Sequence, residues 1–159
     1  MTDKYVIGVD YGTLSGRALI VRVSDGVEMG SAVFEYPNAV MDRVLNTTGA
    51  ALGPDWALQD PNDYVEVLKH AVPEALKSSG INPADVVGIA TDFTACTMVP
   101  TLNDGTPLSD LPDLAGEPHA YVKLWKHGAA QSYADAINRR GGAFLEDFGG
   151  KLSGEWLLA

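Results

Sequence analysis

Residues 8–17 read GVDYGTLSGR. One short stretch gathers an acid (Asp10), glycines at 12 and 16, hydroxyls on Thr13 and Ser15, and Arg17. Its flanks are apolar: Tyr5-Val6-Ile7 precede it and Ala18-Leu19-Ile20-Val21 follow it. Two β-rich runs joined by a polar, glycine-bearing link predict a β-hairpin with those groups at its mouth.

Such a mouth suits an anion. Glycines let backbone N–H groups turn toward a ligand without a β-carbon in the way. Thr13 and Ser15 add hydroxyl donors, and Arg17 adds a planar fork that matches phosphate oxygens. Asp10, ending a buried strand, suits Mg²⁺ held mainly through water. These are the parts of a phosphoryl-transfer site. The plainer reading is a glycine-bearing hairpin with a solvated arginine. Two other phosphate signatures are missing: Gly150-Lys151 is followed by Leu152, so there is no Walker A motif, and no GxGxxG follows a strand.

The bulk numbers narrow the class. A chain of 159 residues is long enough for one domain, burying roughly 68–70% of its extended surface. It is 46% hydrophobic and 20% charged, an ordinary globular composition. A net charge of −10 argues against nucleic acid or an anionic membrane as partner. The single cysteine, Cys96, cannot form an internal disulfide, which fits a reducing compartment. The start carries no apolar signal segment, and no run approaches the ~20 apolar residues of a membrane span. A cytoplasmic protein is expected.

Strands are predicted over about 4–9, 17–23 and 28–36, with Asp25-Gly26 turning between the second and third. Residues 37–59 read as one long loop, of the kind that is usually functional or disordered. Asp60-Pro61 marks a helix start, with Asp60 as N-cap and Pro61 at the first helical position. Tyr64, Leu68, Val72 and Leu76 follow at helical spacing, Gly80 stops the helix, and Pro73 is expected to kink or split it. Further strands are predicted over 86–92, 97–102 and 120–125, and a second helix over about 128–140 ending at Gly141-Gly142. The order β-β-β-α-β-β-α predicts a layered α/β fold with a mixed sheet. Trp156-Leu157-Leu158-Ala159 break off in mid-pattern, as if the chain were cut.

The motif over 8–17 resembles the first phosphate motif of sugar kinases with the actin/hexokinase-type ATPase fold, which is ribonuclease H-like, and more narrowly that of the FGGY carbohydrate kinases. Gln59-Asp60-Pro61 is similar to that family as well. TDFTACTMVP (91–100) and HAYVKLWKHGAAQ (119–131) resemble the sugar-binding segments of its ribulokinase branch. The resemblance implies a truncated α/β domain, its mixed sheet flanked by helices. Residues 1–159 would be the N-terminal part of the first kinase domain, on the sugar and phosphate side, without the second, ATP-binding domain. The implied activity is ATP-dependent phosphorylation of a ketopentose, L-ribulose to L-ribulose 5-phosphate before xylulose, glycerol or a related polyol. ATP and Mg²⁺ would be needed, and the fragment alone would be inactive.

Carried over by position, Asp10 would organise Mg²⁺, and Gly12, Thr13, Ser15 and Arg17 would approach the terminal phosphates. Ala95, Trp125 and Asp92 would serve the sugar, and the catalytic base would lie C-terminal to this chain. Gly128 departs from the pattern, since a second histidine is expected after His127. Judged by composition, Trp125 is more often core than ligand contact; the resemblance reverses that preference. Asp92 pairs with Asp10 in a rival reading, a two-metal nuclease of ribonuclease H type, which a chain with 11 Lys and Arg disfavours. A nucleotide-binding module of actin or chaperone type is the other rival. His70 and Glu74 are expected to pair on the first helix, Lys126 and His127 to form a solvated pair, and Cys96 to be a small core residue. An open sheet edge would favour a homo-oligomer.

Overall fold

The computed structural model describes residues 3–157; Leu158 and Ala159, half of the abrupt ending noted above, lie outside them. Two compact units emerge. One is the chain through Ala39 together with Asp60–Ala95, and the other is Val40–Gln59 together with the chain from Cys96 onward.

In the first unit β1 (Tyr5–Tyr11), β2 (Ser15–Arg22), β3 (Glu28–Glu35) and β5 (Val86–Phe93) form one sheet in the order β3-β2-β1-β5. The first three strands are antiparallel, and β5 runs parallel to β1, so the sheet is mixed as expected. Successive side chains alternate between the two faces. Ile7, Val9, Ala18 and Ile20 therefore bury on one face against Val67, Ala71 and Ala75 of α1 (Pro61–Ser79). Asp10 and Arg17 fall on alternate positions and are exposed.

The helix starts as its sequence predicts. Asp60 accepts from Asn62 N–H at 2.9 Å, Pro61 opens the first turn, and Gly80 closes the helix in the left-handed conformation at φ 66°. Its buried stripe differs from the expected one. Val67, Ala71 and Ala75 face the sheet, Tyr64, Val72 and Leu76 flank them, and Leu68 is exposed. Small residues let the helix lie close to the strands, whereas the expected stripe follows the bulkier apolar residues. Pro73 does not split the helix, which runs unbroken through it. The ring sits on the exposed side, where water can serve the carbonyl that loses its N–H partner.

The second unit is built around short pairings. The strand expected over 97–102 is absent; only the isolated bridges Met98↔Lys123 and Thr101↔Pro107 form. The one expected over 120–125 shrinks to β6 (Val122–Lys123), which pairs antiparallel with β4 (Leu58–Gln59). Pro100 interrupts the first of these stretches and Pro118 stands just before the second, and a proline cannot donate to a ladder. The segment expected as one loop contains β4 and packs Met41, Leu45 and Leu58 against Ala120 and Tyr121. Helix α2 (Gln131–Arg140) ends at Gly141 as expected and packs Ala134 with Leu145 and Leu152. Among the described residues no helix is long and apolar enough to cross a membrane.

Candidate functional site

The hairpin mouth lies where β1 hands over to β2. Tyr11 pairs with Gly16, and Gly12 N–H donates to Ser15 O at 2.9 Å, so the tip between them is closed by its own backbone. That N–H is committed to the turn. Thr13 and Ser15 carry the hydroxyls of the tip. Gly16 is explained by packing: a β-carbon there would run into Val67 of α1.

Asp10 sits opposite Arg17 across the antiparallel pair and opposite Asp92 across the parallel one. Three charged groups from three strands therefore share one exposed face. They border an open depression of about 330 Å³, floored by Gly8, Leu19 and Ala90. Asp92 Oδ1 also accepts from Phe93 N–H at 2.9 Å. Among the described residues no group of three or more His, Cys, Asp or Glu forms a metal cage. Two in-register carboxylates nevertheless fit a hard cation that keeps most of its water.

A tyrosine cluster backs the hairpin. Tyr64 stands edge-on to Tyr11 and to Tyr36, each at 5.7 Å between centroids. Burial pushes the hydroxyls of Tyr36 and Tyr64 well above the ordinary phenol range. Asp63 on α1 takes Asn38 N–H at 3.1 Å and Asn38 Nδ2 at 2.9 Å, which pins the chain leaving β3. Burial raises the Asp63 carboxyl above its usual range. Sequence reading missed this support, because a first-turn acid signals a helix start whatever else it holds.

Trp125 belongs to the second unit. It occupies a turn closed by His127 N–H donating to Leu124 O at 2.8 Å and is 48% exposed, so the core reading fails. Its neighbours also differ from expectation. Lys126 is exposed, but His127 is only 3% exposed and forms no solvated pair with it. His127 Nδ1 accepts from Ala57 N–H at 3.1 Å. Burial, and then the Lys123 ammonium, hold its pKa below the usual histidine range. Lys123 is buried too, donating to His119 O at 2.6 Å and Tyr121 O at 3.2 Å. Burial lowers its pKa. At Gly128 a β-carbon would make ordinary contact with Asp55 at 3.5 Å, so space does not require the glycine.

Two further expectations change. Ala95 is exposed in the turn that leaves β5, and Cys96 beside it is exposed at φ 58°, so it is no core residue. A tight reversal puts Cys96 outside the packing. His70 pairs with Glu66 at 3.0 Å, one turn back along the helix, and Glu74 pairs with Lys77 at 3.8 Å. The His70 ring stacks on Phe34 at 4.9 Å.

The chain is 53% identical to a ribulokinase of Anoxybacillus flavithermus, over all of this chain and 29% of that protein. It is 56% identical to a ribulokinase of Mycolicibacterium smegmatis, over 98% of this chain and 29% of the other. It thus spans less than a third of the length of the curated relatives it matches. No protein-family model matches. Among solved structures, a gluconate kinase from Lactobacillus acidophilus aligns with TM-score 0.65 at 16% identity, covering 87% of this chain and 23% of that one. A xylulose kinase from Rhodospirillum rubrum aligns with TM-score 0.60 at 20% identity, covering 89% and 25%. Those identities speak for the fold alone, the actin/hexokinase-type fold of sugar kinases. Similar to ribulokinases along its whole length and folded as these sugar kinases are, the chain resembles the FGGY carbohydrate kinases.

Proposed function

We propose that this chain supplies the phosphate-side hairpin and one sugar-side wall of a longer cytoplasmic kinase. That enzyme transfers the terminal phosphoryl group of ATP to a ketopentose, with L-ribulose as preferred acceptor and L-ribulose 5-phosphate as product. The observation that carries the reading is the identity to ribulokinases over the whole chain, 53% and 56% in the two relatives named. The shared exposed face of Asp10, Arg17 and Asp92 supports it independently.

The roles follow from charge and position. Arg17, Thr13 and Ser15 bind and orient the terminal phosphates, where donors that are already in place stabilise charge spreading onto the moving group. Asp10 would hold Mg²⁺, which would supply positive charge against the phosphates. Asp92 and Ala95 border the sugar, and Trp125 presents an indole face to its C–H groups and one N–H to its oxygens. The base that takes the sugar's proton is assigned to the part of the longer protein outside this chain.

A coupled ADP-release assay on the longer protein tests this, with L-ribulose, D-xylulose and glycerol as acceptors. The highest kcat/KM is expected for L-ribulose. ATP hydrolysis indifferent to all three acceptors would overturn the sugar-kinase reading in favour of a nucleotide-binding module.

A further inference from the structure

The turn carrying Trp125 is tied at three points to the segment Asp55–Ala57. Leu124 N–H donates to Ala57 O at 3.0 Å where the chain enters, and Gly128 N–H donates to Asp55 O at 2.8 Å where it leaves. Between them Ala57 N–H donates to His127 Nδ1 at 3.1 Å. Both polar groups of the Ala57 backbone thus hold this one turn. The outer ties are backbone bonds that most residues could make. The middle one needs a side-chain acceptor at position 127.

Accepting at Nδ1 places the imidazole proton on Nε2. Nε2 is buried without a partner among the described residues, and the ring stands at 90° to Trp56 with centroids 4.9 Å apart. A buried ring with one orphan donor is held for its other nitrogen. We propose that His127 is the positioning residue for Trp125: as the neutral Nε2–H tautomer it fastens the turn to Ala57 and so fixes where the indole stands.

Protonation would undo that tie. Imidazolium donates from both nitrogens, so Nδ1–H would face Ala57 N–H, donor against donor. The new charge would also stand near Lys123 of β6 and His119 of the turn before it, while the exposed Asp55 is the acid of the segment packed on the other side. Burial and Lys123 already disfavour the charged ring. The middle tie is therefore made at neutral pH and lost in acid. The consequence for sugar binding rests on the reading of Trp125 given above; the tie itself does not.

The test uses the 159-residue chain carrying 5-fluorotryptophan, its resonances assigned by Trp→Phe variants, with ¹⁵N imidazole spectra reporting the tautomers. The Nε2–H form is expected for His127 at neutral pH, and the Trp125 resonance should move on acidification with the His127 midpoint. His127→Asn keeps an acceptor oxygen close to the Nδ1 position, so it should hold the neutral-pH resonance and lose the acid shift. His127→Leu should displace the resonance at every pH, and if that variant fails to fold the Asn variant still decides. His119→Gln should leave the titration in place. An Nδ1–H tautomer, a Trp125 resonance indifferent to pH, or an acid shift that survives in His127→Asn would overturn the proposal. In the longer protein, His127→Leu should raise KM for L-ribulose about tenfold, and His127→Asn should restore it. A normal tautomer and a Trp125 resonance that follows pH and the variants, with KM for L-ribulose unmoved, would sink the sugar role of Trp125 and leave the positioning role standing.

Discussion

Gly16 lies directly against Val67. A β-carbon on the glycine would come within 3.0 Å of Val67 Cβ and closer still to both methyls. The hairpin of the candidate phosphate site is thus seated on α1 by a glycine–valine contact, and its glycine is there for the helix.

Gly16→Ala should therefore destabilise the first unit by about 1–3 kcal/mol, the usual cost of forcing a methyl into a packed site. Val67→Ala alone should also destabilise, by leaving a cavity. Combined, the two should cost less than their sum, because the new methyl occupies the space vacated. Urea unfolding of the four proteins measures this, and strict additivity would show that the contact carries no energy.

How far the sequence could be read follows from such contacts. The hairpin, the mixed sheet and the helix start at Asp60 were legible, since each rests on local chemistry: alternation, a turn, a cap. The stripe on α1 was read one residue off because the alanines that allow close approach carry no strong hydrophobic signal. The strand expected over 97–102 failed for a related reason; its apolar residues meet partners one at a time, between prolines. Asp10 and Arg17 were legible as parts of one site, and their facing followed from the hairpin. The pairing of Asp10 with Asp92 depended on a parallel strand 82 positions later in the numbering. His127 was misjudged because its partner, Ala57 N–H, is a backbone group 70 residues away.

The Asp60 cap gives a simpler prediction. Asp60→Ala removes the acceptor for Asn62 N–H and should cost about 1 kcal/mol. Asp60→Asn keeps an acceptor and should cost less. Thermal unfolding followed by circular dichroism separates them, and equal midpoints for all three chains would deny the cap any energetic role.

Stability should also depend on pH through His127. Its pKa is lowered in the folded chain, while the unfolded residue titrates near about 6.5. Above that pH both states are neutral and the residue contributes no slope. As pH falls below it the unfolded state takes up a proton first, so stability declines. Asp63 acts in the opposite sense at lower pH: burial raises its folded pKa, so protonation there favours the folded state. Unfolding free energy measured from pH 7.5 to 5 should fall for the wild type and flatten for His127→Asn. A slope unchanged in that variant would assign the acid sensitivity to another group.

Arg17 and Trp125 should fail in different ways when tested in the longer protein. Arg17 is exposed on the face it shares with Asp10 and Asp92, so Arg17→Ala removes a charge-assisted contact to phosphate worth roughly 1.5–3 kcal/mol while leaving the second unit's Trp125 turn intact. Pentose-dependent ADP release should drop about tenfold or more, with KM for ATP rising and KM for L-ribulose little changed. Trp125→Ala leaves the hairpin untouched and takes away an aromatic wall, so KM for L-ribulose should rise while KM for ATP holds. Steady-state kinetics with each substrate varied in turn read both effects. The two variants together should show nearly additive losses, since their contacts fall on different substrates. If Arg17→Ala left ADP release unchanged, the hairpin would lose its phosphate role. If Trp125→Ala weakened ATP and spared the sugar, the indole would belong to the nucleotide, and the turn that His127 fastens would have to be read again from that side.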